Sequence, residues 1–585
     1  MRNDLGQDAV TERITVWAPE AAAAEVELNG NRHPMRRAER GYWVLDAPAP
    51  QHGDRYAFSI DGGPLRPDPR SRRQPDGVHR ASEWVDFRVL AARRHAPWQV
   101  PALETGIIYE LHVGTFTSEG TFDAAAQRLD YLCRLGVTHV ELLPVAAASG
   151  ARGWGYDGVA LCAVLEAYGG PEGLLRFADA CHRRGLGLIM DVVYNHLGPE
   201  GNYLAEFGPY FTDAYKTPWG SAINLDGPQS DEVRRFLLEN ALMWLRDYGC
   251  DGLRIDAVHA LFDMSAVHFL EELAVETDRL SHRLGRPLVL IAESDLNDPR
   301  LVTHREHGGY GLDAQWSDDF HHALHVALTG ERQGYYAGFR GIEDLARSLR
   351  EVFVHAGEYS AARGRRHGRP AGALPGGRFL AYSQNHDQVG NRARGERLCH
   401  LVTVDRAQVA AALTILSPFV PMLFQGEEWA ASSPFLYFTD HSDEALGTAV
   451  KEGRRREFSS FGWSPEDIPD PQAESTFRES VLRWEECAQQ PHAAMLEWYR
   501  ELLALRRQET DLRYPDRESV SVMCDPGTGV LQLRRGSIEV IAAFGDEPQR
   551  VPFRSSETLL ASANAAVDPA AVAFSGPGVA VVRRK

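Results

Sequence analysis

Eight short apolar runs, separated by helix-patterned segments, constrain this chain more than any other feature. They read GIIYELHV (106–113), VTHVELLP (137–144), GLIMDVVYN (187–195), GLRID (252–256), LVLIAE (288–293), LDAQWSD (312–318), RFLAYSQNHD (378–387) and PMLFQGEE (421–428). Strand and helix patterns in alternation signal parallel βα units. Eight such units over about 400 residues predict an α/β fold, a (β/α)8 TIM barrel with inserted loops. In DEVRRFLLENALMWLRDYG (231–249), Val233, Phe236, Leu237, Ala241 and Trp244 recur at helical spacing, which predicts a helix packing one face on the barrel.

The barrel pattern occupies residues 96–510. Before it, 1–95 reads as a β-sandwich, because RITVWAPEAAAAEVELNG and GYWVLDAPAPQHGDRYAFSIDGG are short alternating runs cut by Gly, Pro and Asn-Gly. The Pro- and Arg-rich RPDPRSRRQPDGVHRASEWVDF is a plausible joint. After the barrel, VLQLRR and IEVIAAF mark a smaller β-domain over 511–585. The basic loop ARGRRHGRPAGALPGG (362–377) is either a solvated surface loop or a flap over the active face.

The formal net charge of −19 argues against a nucleic acid partner, which needs basic patches, and favours a neutral ligand. No run of about 20 apolar residues exists to span a membrane. The stretch MRNDLGQDAVTERITVW has no apolar signal core, so a cytoplasmic protein is expected. The seven cysteines are scattered without metal-like spacing and are expected to be reduced.

In a barrel of this kind, chemistry sits at the C-terminal ends of the strands. There the third run carries Asp191, Asn195 and His196, and the fourth Arg254, Asp256 and His259. The fifth ends in Glu293 and the seventh in Asn385, His386 and Asp387. Each cluster alone could be a structural ion pair. Three carboxylates on three strand ends are hard to explain as stability devices, because each buried charge costs several kcal/mol.

Cleaving a glycosidic bond needs one ionised carboxylate to attack the anomeric carbon and one protonated carboxyl to protonate the leaving oxygen. Arg254, two residues before Asp256 and on the same strand face, would keep Asp256 ionised. Glu293 follows the apolar VLIA, where desolvation would keep it protonated. Asp387 has no obvious proton to move and would grip sugar hydroxyls. Trp154 and Tyr156 in GWGYDG (153–158) lie just past the second strand, where one could stack on the reacting sugar.

DVVYNH (191–196), GLRIDAVH (252–259), IAES (291–294) and QNHDQVGNR (384–392) resemble the four signature segments of the α-amylase family of glycoside hydrolases. The resemblance implies that Asp256 is the nucleophile, Glu293 the general acid/base and Asp387 the transition-state stabiliser. Arg254, His196, His386 and Tyr156 would line the subsite of the sugar being cleaved, with Asp191 supporting them. In calcium-dependent members an Asn at the position of Asn195 binds the metal, but the acidic ligand set is not evident here. Neither a metal nor another cofactor is therefore expected. Ala257-Val258-His259 stands where many members carry Lys-His a little later, so His259 is a candidate glucan contact.

Further stretches, among them YELHVGTFTSEGTF (109–122), AESDLNDPRLV (292–302) and WSDDFHHALHVALTGERQGYYAGF (316–339), are similar to the branch acting on glucans that end in trehalose. That implies an α-1,4-glucan oligosaccharide with terminal trehalose as substrate. Asp295, Asn297 and Asp319, after the fifth and sixth strands, are the candidates for holding the trehalose end, and each taken alone reads equally as a residue that stabilises its loop. Two readings compete. Branching or debranching enzymes share the N-terminal β-domain and TPWGSAINLDG (217–227), although branching enzymes typically carry a second Glu where Ser294 follows Glu293. A non-catalytic glucan-binding barrel would not need Asp256, Glu293 and Asp387 intact.

Overall fold

Eight parallel strands close into a barrel in the computed structural model, which describes residues 13–91, 98–459, 464, 468–514 and 516–584. They are β1 (Ile108–Leu111), β2 (His139–Leu142), β3 (Gly187–Val192), β4 (Gly252–Ile255), β5 (Val289–Ala292), β6 (Ala314–Trp316), β7 (Phe379–Ala381) and β8 (Val420–Phe424). Pairing of Met422 with Ile108 joins β8 to β1 and removes every free edge. Each strand is shorter than its expected run and lies within it, except that β8 starts one residue earlier, at Val420. Asn385 accepts from the backbone N–H groups of Asp387 and Gln388, so the end of the seventh run starts a helical turn, His386–Gly390.

Side chains alternate across each strand, so every second residue points into the barrel. Ile108, Ile189, Ile291, Ala314, Trp316, Leu380, Tyr382, Val420 and Met422 form one dry interior cluster, separate from the packing of the outer helices. The next inward positions toward the C-terminal end are polar: Glu110 on β1, Asp191 on β3 and Arg254 on β4, all buried. Register sets Asp191 directly beside Arg254.

The helix read from the fourth unit runs Ser230–Arg246, and Val233, Phe236, Leu237, Ala241 and Trp244 are all buried. It is covered on more than the one face expected, since the N-terminal β-domain docks on its other side. Tyr42 donates to Glu232 at 2.8 Å, Arg40 pairs with Glu232 at 2.8 Å, and Arg72 pairs with Asp247 at 2.8 Å.

That N-terminal unit has a four-stranded antiparallel sheet (Asn31–Pro34, Ala24–Leu28, Arg55–Ile60, Ser82–Glu83) and a three-stranded one (Thr15–Trp17, Tyr42–Val44, Arg36–Arg37). The boundary expected between residues 95 and 96 lies outside the described residues. After the helix His492–Gln508, a five-stranded sheet begins at Val520–Asp525 and ends at Gly578–Arg584, with a three-stranded sheet beside it. Arg535 ties this terminal unit to the barrel by donating to the carbonyls of Leu416, Ser417 and Leu512.

Candidate active site

β4 delivers Arg254 into the barrel, and the chain leaves the strand at Asp256. Arg254 is 1% exposed and touches three carboxyl groups. Its Nη1 donates to Asp256 Oδ1 at 2.7 Å and to both oxygens of Asp191 at 2.9 Å, while Nη2 lies 3.2 Å from Glu293 Oε2. Its guanidinium rests over the Trp316 ring, 4.3 Å from the centroid. One buried cation among three carboxyls does not keep all three ionised.

The surroundings divide the protons. Burial pushes the Asp256 carboxyl up, but Arg254, His196 and the Asn195 amide outweigh it and hold the group below its ordinary range. Asn195 Nδ2 donates to Asp256 Oδ2 at 2.7 Å, so both carboxylate oxygens are fixed. Glu293 goes the other way. Burial lifts it well above the usual carboxylate range; Arg254 opposes this, and the negative charges of Asp256, Asp387 and Asp318 add to it. Glu293 Oε2 accepts from the backbone N–H of Ala257 at 2.5 Å and faces the Arg254 guanidinium as an ion pair. The proton therefore belongs on Oε1. Ala257 has φ 38°, a left-handed conformation unusual for a residue with a Cβ, and this turn aims its N–H at Glu293.

A buried chain of polar groups supports the pair. His386 Nδ1 lies 2.6 Å from Glu110 Oε1, and its backbone N–H donates to Glu110 Oε2 at 3.0 Å. Burial works against a charged imidazole, yet Glu110 raises the His386 pKa above its ordinary value. The protonated ring then donates through Nε2 to the Tyr156 hydroxyl, 2.8 Å away, and Tyr156 donates to Asp191 Oδ2 at 2.6 Å. Burial pushes Asp191 up to about 6 in spite of Arg254. The Tyr156 and His386 rings stack at 5.1 Å, and His196 lies with Nε2 3.0 Å from the Tyr156 carbonyl. Asp387 Oδ1 accepts from Asn391 at 2.7 Å. Asp256, Glu293, Asp387, Arg254, Asp191, Tyr156, His196 and His386 are thus brought together.

Five other candidates sit differently. Trp154 is buried, donates to the Leu436 carbonyl at 2.9 Å and stacks on Phe435. It is a wall behind Tyr156 and His386 rather than a sugar platform. Asn297 and Asp319 are also buried and bonded to one another at 2.8 Å; Asn297 also holds the His355 carbonyl, and Asp319 the N–H groups of Val354 and His355. Through Asp319 Oδ2 and Asn297 Nδ2 they tie loops together. Asp295 is half-buried and paired with Arg363 of the basic loop at 2.8 Å, while His367 of that loop bonds the Asp295 carbonyl. The basic loop is thereby anchored to the chain after β5. His259 is exposed on the turn Val258–Ala260.

Three residues of the site escaped the sequence reading. Glu110 was hidden inside an apolar strand, although a lone carboxylate two residues after Ile108 shares its inward face. Asp318 was passed over for its neighbour Asp319, although counting by twos from Ala314 and Trp316 selects Asp318. Trp219, on the hairpin of Phe211–Thr217 and Gly220–Ile223, is 50% exposed and lies flat on His196 at 4.4 Å. Nothing local in the sequence signals that contact.

Among the described residues, no group of three or more His, Cys, Asp or Glu is arranged to hold a metal ion, and no helix is long and apolar enough to cross a membrane.

The family model for the alpha amylase catalytic domain matches residues 83–217. A malto-oligosyltrehalose trehalohydrolase of Mycobacterium tuberculosis (strain CDC 1551 / Oshkosh) is 51% identical over 551 residues, covering 93% of this chain and 94% of its own. The chain belongs to the malto-oligosyltrehalose trehalohydrolase family. A second trehalohydrolase, from Arthrobacter ramosus, is 49% identical over 581 residues, covering 98% of this chain and all of its own. Among solved structures, a Salmonella typhimurium chain assigned to the alpha amylases superposes with a TM-score of 0.89 at 37% identity, covering 98% of this chain and 97% of that one. Trehalohydrolases are glycoside hydrolases, and the closed barrel with its carboxyl groups at one end fits that class.

Proposed function

We propose that this enzyme hydrolyses the α-1,4 bond joining a maltooligosaccharide to a terminal trehalose unit, releasing trehalose with retention at the anomeric carbon. One observation carries the chemistry: Asp256 and Glu293 share the Arg254 guanidinium, yet their surroundings push their pKa values in opposite directions. Asp256, ionised and pinned by Arg254 and Asn195, attacks the anomeric carbon. Glu293 gives its Oε1 proton to the leaving oxygen, and a glycosyl ester forms on Asp256. Once trehalose has left, Glu293 takes a proton from water, which attacks the ester and frees the glucan. Asp387 grips hydroxyls of the reacting sugar and favours the flattened ring. Tyr156, stacked on His386, offers that sugar an apolar face.

The choice of trehalose rests on the family. The α,α-1,1 linkage leaves no free reducing end, so a site that hydrogen-bonds it leaves polar groups unpaired when offered a plain maltooligosaccharide. The test is kcat/KM for maltotriosyl trehalose against maltopentaose. A preference on the order of 10³ is expected, and a ratio near one would reduce the proposal to a general α-glucan hydrolase. Action in the cytoplasm fits the seven free cysteines.

A further inference from the structure

The donor sugar and the leaving sugar must lie on opposite sides of the proton that passes between them. The groups around Asp256 come from the chain after β2 (Tyr156), from β3 (Asp191), from β4 (Arg254) and from the turn after β7 (His386). Glu293 faces the leaving oxygen from the end of β5. The strand that follows it round the barrel is β6, and its inward positions are Ala314, Trp316 and then Asp318, the first residue of the helix Asp318–Thr329.

Asp318 is only partly buried. Its Oδ1 is held by the hydroxyl of Tyr382, an inward residue of the β7 chain that is fully buried beside Trp316. Its Oδ2 has no hydrogen-bond partner among the described residues. The group stands close enough to Glu293, Asp387 and Asp295 to interact electrostatically with each. A carboxyl locked by one oxygen, with the other free, beside the acid that protonates the leaving group, is built to take sugar hydroxyls.

We propose that Asp318 is a specificity residue on the leaving-group side, binding a hydroxyl of the departing disaccharide through Oδ2 while Tyr382 fixes its orientation. This rests on the proposed function for the identity of that disaccharide. Burial, with the charges of Asp295 and Asp387, pushes Asp318 up to about 7 against the pull of Tyr382, so it is both donor and acceptor near neutral pH. An Asp at a helix start also favours the helix dipole; that role predicts lower stability and uniform losses on all substrates.

The experiment compares Asp318→Asn and Asp318→Ala with the wild type in three measurements: kcat/KM on maltotriosyl trehalose, kcat/KM on α-maltotriosyl fluoride, and inhibition by free trehalose. Fluoride places no sugar on the leaving side. The loss on maltotriosyl trehalose should exceed that on the fluoride by about tenfold, and trehalose inhibition should weaken similarly, as for one lost hydrogen bond. Equal losses on both substrates would overturn the contact. A rate loss with trehalose inhibition unchanged would also overturn it, making Asp318 a tuner of the Glu293 proton. Should Asp318→Ala fail to fold, Asp318→Asn keeps the shape and the Tyr382 contact and decides alone. If the wild type released maltose instead of trehalose, the proposed function would fall, and inhibition by maltose would test Asp318 in the same way.

Discussion

Arg254 holds Asp256 at 2.7 Å with one terminal nitrogen and Glu293 at 3.2 Å with the other. A single buried cation thus spaces the two carboxyls. Asn195 adds a second donor to Asp256, and the Ala257 N–H adds one to Glu293 Oε2. The nucleophile and the acid are therefore oriented by groups that do not themselves react, which is the preorganisation that displacement at an anomeric carbon requires.

Asp256→Asn and Glu293→Gln should separate the two roles. Asp256→Asn should lose at least about 10⁴-fold in kcat on every substrate, fluoride included, because no other nucleophile is in place. Glu293→Gln should lose roughly 10² to 10⁴-fold on maltotriosyl trehalose and far less in forming the glycosyl enzyme from α-maltotriosyl fluoride, whose leaving group needs no proton. Burst kinetics on the fluoride measures this. Near-normal turnover of the natural bond by Glu293→Gln would remove Glu293 from its role.

The same pair sets the pH profile of kcat/KM. The active form has Asp256 ionised and Glu293 protonated. Asp256 sits below its ordinary 3.8, so activity rises on the acid side as that proton leaves. Glu293 sits well above its ordinary 4.5, so the fall on the basic side comes late, when its proton is lost. A bell with a wide top is expected. A profile flat into strongly alkaline pH, with the protein still folded, would mean that another group supplies the proton.

Glu110→Gln should act through His386. The wild-type carboxylate keeps His386 protonated above the ordinary imidazole value, and without it the ring loses its charge at lower pH. The ratio of variant to wild-type kcat/KM should therefore fall as pH rises from about 5 to about 8, the span over which an imidazole titrates. A ratio independent of pH would show Glu110 to be a packing residue only.

The legibility of this fold and site follows the range over which each contact acts. The barrel could be read because period-two and period-3.6 patterns are local, and Arg254 with Asp256 because two residues on one strand face must meet. Glu110 could not be paired from local pattern, since its partner His386 lies 276 positions later and only barrel closure brings β1 beside β8, one strand from β7. Asn297 and Asp319, polar and near strand ends, are compatible from local pattern with either a sugar contact or a loop-stabilising role. In the fold they satisfy each other and the backbone of 354–355, as buried polar groups must. Parity separates the two neighbours: strand alternation continued one step past Trp316 turns Asp318 inward and Asp319 away. Trp154 was ambiguous as an aromatic beside a polar cluster, and only its contacts with Phe435 and the Leu436 carbonyl make it a supporting wall.

The most direct measurement is a proton NMR time course of the first minutes of hydrolysis of maltotriosyl trehalose. The account predicts free trehalose together with maltotriose that appears first as its α-anomer, since two displacements at one carbon restore its configuration. Maltotriose appearing first as the β-anomer, or maltose released in place of trehalose, would contradict it.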